Sequence, residues 1–147
     1  MELALDIAKK AKVDVLKPTN IRTCWEKIKP FIIEILEQDP FPTIRPEDVY
    51  SDCVNNKAFL YMSKDAFVIL SLEEYEATTD KTLLIWFGYA YKTGTNLWVS
   101  HKEWFNNLAK ELECNYIEAR TKTDKLSSYF LQTGWKLETR VFKKEVV

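Results

Sequence analysis

The chain is predicted to fold as a single mixed α/β domain, with a central, mostly antiparallel sheet flanked by helices. Three observations predict it. Residues 57–62, 66–77 and 82–90 are runs rich in Phe, Tyr, Val, Ile and Leu, separated by turns short enough to make them antiparallel neighbours. Within the third, Leu83-Leu84-Ile85-Trp86-Phe87 is apolar on both faces, which suits a central strand covered by helices on each side. Leu97, His101, Trp104, Phe105, Leu108 and Leu112 then fall on one helical stripe, with Lys102, Glu103, Asn106, Lys110 and Glu111 mainly outside it. At 147 residues, 46% apolar and 14% aromatic, residues 1–147 have the length of one domain and the side chains for a substantial core.

In chain order, residues 12–16 alternate polar and apolar and predict a short strand. Ile21, Trp25, Ile28, Ile32, Ile35 and Leu36 recur at helical spacing, so a helix spans 21–38, with Thr19 or Asn20 as its cap and Pro30 kinking or dividing it. Pro40, Pro42 and Pro46 make residues 39–46 a stiff extended connection. Pro46, Glu47 and Asp48 suit the start of a short helix reaching about residue 55. Gly88 marks a bulge or a close backbone approach within the strand 82–90. After the helix 97–112, residues 115–121 read as a strand. Asp124 caps a short helix to 133, Gly134 ends it in the left-handed conformation, and residues 135–146 supply one or two last strands.

Composition excludes several functions. Lys+Arg of 21 against Asp+Glu of 22 gives a net charge of −1, so no global field draws the chain to nucleic acid. The small aromatic and basic run Tyr89-Ala90-Tyr91-Lys92 does not outweigh that balance. No apolar run approaches the roughly 20 residues that cross a bilayer, and the N-terminus does not read as a secretory signal, so a cytoplasmic protein is expected. Cys24, Cys53 and Cys114 are widely spaced and lack the clustered partners of a metal site, so no metal is expected and reduced thiols are. A cysteine nucleophile would need His101, the one histidine, as its base, and that residue belongs to a packing stripe.

The element order, together with the ending Tyr129-Phe130-Leu131-Gln132-Thr133-Gly134-Trp135, resembles the GCN5-related N-acetyltransferase (GNAT) superfamily over nearly the whole chain. That ending is similar to the superfamily's closing Phe-Tyr-x-x-x-Gly-Phe, and residues 12–20 to its opening strand and turn. The resemblance implies an acyl-CoA N-acyltransferase fold that holds the pyrophosphate of acetyl-CoA on backbone N–H groups, from an Arg/Gln-x-x-Gly-x-Gly/Ala loop at a helix start. The matching stretch is Thr93-Gly94-Thr95-Asn96-Leu97-Trp98, with Lys92 in the cationic position if the register slips by one. Only Gly94 matches, and Trp98 stands where a tiny residue belongs and should obstruct the pyrophosphate unless its side chain turns inward. Gly88 would lie at the strand opening that receives the pantetheine arm.

The superfamily's carboxylate base and tyrosine acid have weak counterparts. Residues 82–90 carry no acid, which leaves Glu73 or Glu74 on the preceding strand as base. Phe130 holds the tyrosine position, with Tyr129 one place earlier and so turned by about 100° on a helix. The runs Leu97-Trp98-Val99 and Gly134-Trp135 resemble acetyltransferase-like domains of tailed bacteriophages with eroded cofactor loops, including an internal virion protein. This implies a phage origin, in host cytoplasm or virion. The reading is a GNAT-fold protein with an eroded acetyl-CoA loop, non-catalytic or weakly active, binding a protein partner through Trp86, Tyr89, Tyr91 and Trp98. The alternative is an acetyl-CoA-dependent N-acetyltransferase acting on an amine of a small molecule or protein.

Overall fold

The computed structural model describes residues 15–91 and 96–147; most of the strand expected at 12–16, and Lys92, Thr93, Gly94 and Thr95, lie outside the described residues. Five strands form one sheet in chain order: β1 (Lys17–Pro18), β2 (Phe59–Met62), β3 (Ala66–Glu74), β4 (Lys81–Ala90) and β5 (Tyr116–Ala119). The first four pair antiparallel, and β5 runs parallel to β4. The expected strand 66–77 stops at Glu74, because Thr79 adopts a positive φ of 60° and donates its N–H to the Tyr75 carbonyl, closing the turn early.

Helices cover both faces, as the doubly apolar β4 requires. On one side lie α1 (Trp25–Glu37) and α2 (Pro46–Val54), whose Ile28, Ile32 and Val49 bury against Leu60, Phe67, Ile69 and Phe87. The expected helix start at 21 is a single 3-10 turn, Ile21–Thr23, capped by the Asn20 side chain. Pro30 does not divide α1; it sits on the exposed side, where the lost backbone bond leaves a carbonyl within reach of water. Residues 39–45 are free of helix, as their prolines dictate, and the Asp39 carboxylate accepts the Phe41 N–H. At the start of α2 the Asp48 carboxylate accepts the Arg45 N–H at 2.8 Å.

The other face holds the expected amphipathic helix, broken in two. A single turn, α3 (Leu97–Ser100), is followed by α4 (Lys102–Glu111), and between them His101 leaves the helical region at φ −117°, ψ 16° with its side chain buried. Trp104, Phe105 and Leu108 pack on Val68, Leu70, Leu83 and Ile85, as the stripe predicts. Burial of each such side chain stabilises by roughly 1.5–3 kcal/mol. After β5 comes α5 (Asp124–Gln132), capped by Thr123 rather than by Asp124, because the Thr123 hydroxyl accepts the Leu126 N–H. Gly134 takes φ +94°, the left-handed end its sequence position predicts.

The C-terminal strands are not formed. Residues 136–147 are exposed and make no ladder with β5, although their side chains are strand-like. Strand propensity alone fixes no partner, and here the segment lies outside the sheet.

Candidate functional site

The sheet opens between β4 and β5. Their parallel pairing joins Thr82 to Tyr116, Leu83 to Ile117, Leu84 to Glu118 and Ile85 to Ala119, and goes no further, so among the described residues no strand pairs with that edge of β4 from Trp86 to Ala90. A bulge begins where the pairing ends. Ile69 faces Phe87 and Leu70 faces Ile85, leaving Trp86 as the extra residue. The sequence placed this irregularity at Gly88, two residues late; Gly88 itself sits regularly opposite Val68.

The bulge reverses which residues turn their backbone toward the opening. Before it, the Lys81 carbonyl accepts from the Asn115 N–H, so odd-numbered residues face β5. Beyond it the Tyr91 N–H donates to the Asp65 carbonyl at 2.8 Å, so odd residues face β3. By the strict alternation of an antiparallel ladder, the N–H and C=O of Gly88 and Ala90 point into the gap. Gly88 is exposed and satisfies the other half of its sequence expectation, a close approach: a Cβ there would lie 2.6 Å from the Leu97 Cδ2.

The start of α3 is capped by Asn96. Its side-chain oxygen accepts the N–H groups of Trp98 at 3.0 Å and Val99 at 3.3 Å. Those are first-turn donors that would otherwise be available to a phosphate. α3 is also only one turn long, which leaves little aligned dipole behind them. Among the described residues, the Trp98 and Val99 amides are held by Asn96 and not presented to a pyrophosphate.

Trp98 packs into the protein. Its indole turns inward, 5.6 Å from Phe105, 4.9 Å from Phe130 and 6.0 Å from Trp135 between ring centroids, and so ties α3 to α4, α5 and the C-terminal turn. The inward rotamer is the exception that the expectation of obstruction allowed.

The candidate acid and base are not gathered at the opening. Glu73 and Glu74 pair in register with Thr82 and Lys81. Thr82 lies six residues along β4 from Gly88, about 20 Å at roughly 3.3 Å per residue. Both carboxylates are engaged there, Glu73 with the Tyr75 hydroxyl at 3.0 Å and Arg120 at 3.8 Å, Glu74 with Lys81 at 3.8 Å. Phe130 fills the inward position on α5, and Tyr129 stands beside it, half-buried, its ring 6.0 Å from that of Phe130.

Three of the aromatic residues expected to form a partner surface pack in part against α1. Trp86, Tyr89 and Tyr91 are half-buried on the α1 side, where Phe31 lies 4.6 Å from Tyr89 and 5.2 Å from Tyr91. Lys27 sits 5.1 Å over the Tyr91 ring, and the Tyr89 hydroxyl donates to Glu34 at 3.0 Å. Burial pushes the Tyr91 hydroxyl up to about 12, and among the described residues it has no hydrogen-bond partner. The alternation Phe87-x-Tyr89-x-Tyr91 carried this cluster in plain sight.

Sequence reasoning also missed the link between the 39–45 connection and the β5–α5 turn, where Lys122 pairs with Asp39 and holds its carboxyl below the usual range. Beside it Arg120 grips Glu118 at 2.7 Å. Burial raises the Cys53 thiol to about 11, which keeps it protonated at neutral pH. Among the described residues no three His, Cys, Asp or Glu side chains converge as a metal site would need, and no helix is long and apolar enough to cross a membrane.

This architecture, a mixed sheet parting beside a bulged strand with helices on both faces, is the GNAT fold. A Bacillus halodurans protein superposes with a TM-score of 0.68 at 10% identity, over 90% of this chain and 99% of that one. A ribosomal-protein-alanine N-acetyltransferase from Brucella melitensis superposes at 0.65 and 10% identity, over 91% and 99%. An aminoglycoside acetyltransferase from a soil metagenome, in complex with sisomicin, superposes at 0.63 and 9% identity, over 93% and 97%. No family model matches the sequence, and no curated protein sequence does.

Proposed function

We propose that this chain uses the GNAT fold as a binding protein without an effective acetyl-CoA site. One observation carries the reading: the Asn96 side chain occupies the two amides that begin the helix after β4. An anion arriving there must displace a cap worth about 1 kcal/mol and meets a helix of one turn. The dispersed carboxylates support the same reading, since Glu73 and Glu74 are engaged far along the sheet from Gly88. The open edge of β4, which turns the Gly88 and Ala90 backbone into a gap, favours a second reading, an N-acetyltransferase whose linear cofactor lies along that edge.

Calorimetric titration with acetyl-CoA separates the two. The binding-protein reading expects no saturable heat from the natural chain and a gain in Asn96→Gly, whose amides are released. Saturable binding by the natural chain, unchanged in Asn96→Gly, would overturn it.

A further inference from the structure

Two of the three cysteines meet on the side of the sheet covered by α1 and α2. Cys24 ends the 3-10 turn and precedes α1, and its thiol donates weakly to the Asn20 carbonyl at 3.7 Å and the Ile21 carbonyl at 3.8 Å. Cys53 comes from the last turn of α2, which packs against that 3-10 turn. There it lines an open cavity of about 350 Å³ together with Asn20, Ile21 and Arg22. Trp25, next to Cys24, meets Tyr50, one helical turn before Cys53, at 5.1 Å between ring centroids, which brackets the same junction. Both sulfurs therefore border the Asn20–Ile21 backbone within one packed cluster, whereas Cys114 packs on the opposite face. Their surroundings give them different parts. Cys24 stands at the positive end of a 13-residue helix, which favours a thiolate. Burial raises both thiols, Cys53 to about 11, but at Cys24 the Lys27 ammonium and the Thr23 hydrogen bond act the other way.

We infer that Cys24 and Cys53 form a thiol–disulfide exchange site for a low-molecular-weight disulfide such as oxidised glutathione, closing to an internal bond between the start of α1 and the end of α2. The Cys24 thiolate attacks one sulfur of oxidised glutathione and releases one glutathione thiolate. Cys53 then gives its proton to solvent, attacks the Cys24 sulfur and releases the second glutathione. Two protein thiols are oxidised, one external disulfide is reduced, and the two protons end on the released thiols. The bond closes α1, the proline-rich connection and α2 into one covalent loop, fixing how these helices cover the sheet. It is independent of whether acetyl-CoA binds.

The test incubates the folded, reduced natural chain with oxidised glutathione and follows intact mass and the peptide map. The chain should lose two hydrogens and yield a peptide linking Cys24 to Cys53, with Cys114 still open to alkylation. Cys53→Ser should stop at a glutathione adduct on Cys24, and Cys24→Ser should slow the release of glutathione at least about tenfold. Oxidation should raise the urea midpoint of the natural chain, reversibly with dithiothreitol, because the bond restricts the unfolded state. A folded chain that does not react, that keeps glutathione adducts without the internal link, or that links Cys114 instead would overturn the inference. So would Cys24→Ser reacting as fast as the natural chain. An unchanged or lowered midpoint would show a bond between sulfurs that the native fold keeps apart, and would overturn it too.

Discussion

Gly88→Ala is the sharpest probe of how α3 sits on the sheet. The added methyl would lie 2.6 Å from the Leu97 Cδ2, and Leu97 is only 6% exposed, so it has little room to retreat. Carbon atoms rest comfortably at about 3.5–4.0 Å, so a shift near 1 Å is needed. Overpacking of this kind costs roughly 1–3 kcal/mol. Replacing a strand glycine by alanine returns about 0.5–1 kcal/mol of backbone entropy, so the net loss should be roughly 0–2.5 kcal/mol. Leu97→Ala alone should cost about 2–5 kcal/mol. In that background the Gly88 methyl has space, and Gly88→Ala should become neutral or slightly stabilising, giving a coupling of about 1–3 kcal/mol. Urea denaturation of the four proteins measures this, read from midpoints at constant slope. Equal effects of Gly88→Ala in both backgrounds would refute the close approach of Leu97 to the strand.

Three further outcomes follow from the same geometry. Trp98→Ala should destabilise by about 3–5 kcal/mol in urea, because it empties the ring cluster of Phe105, Phe130 and Trp135 rather than opening a ligand site; a loss below 1 kcal/mol would place the indole outside that cluster. Tyr91→Phe should be neutral or raise stability by about 1 kcal/mol, since it removes a buried hydroxyl without a partner; a clear loss in urea would reveal an unseen acceptor. Asp39 has its carboxyl pKa lowered from 3.8, chiefly by the Lys122 hydrogen bond, so its small contribution is present at neutral pH and fades as pH falls through the depressed folded value. Denaturation midpoints of Asp39→Asn and the natural chain should therefore differ at pH 7 and converge in acid, and a difference that grows in acid would contradict the pairing.

The parts of this fold that rest on local pattern were legible. The β4 run with both faces apolar, the stripe through Trp104, Phe105 and Leu108, the proline-rich connection and the Gly134 turn all follow from spacing and backbone preference. What escaped depends on partners distant in sequence. The bulge at Trp86 exists only against β3, and Gly88, the obvious irregular residue, drew the expectation to the wrong place. His101 fits the helical stripe by side chain, so its departure from helical backbone has no sequence signature. The Lys122–Asp39 link joins positions 83 residues apart. Residues 136–147 show the converse, a strand pattern that pairs with none of the described strands. The Asn96 cap was readable: an Asn directly before an apolar helical run is a standard helix start, yet the resemblance drew attention to the loop as a ligand cradle instead.

The most direct measurement follows the backbone amide resonances of Trp98 and Val99 as acetyl-CoA is added to the natural protein. With both donors held by the Asn96 side chain, they should stay where they are across the titration, and move only in Asn96→Gly. Saturable shifts of these two amides in the natural protein would show the helix start open to the pyrophosphate and return the chain to the acetyltransferases.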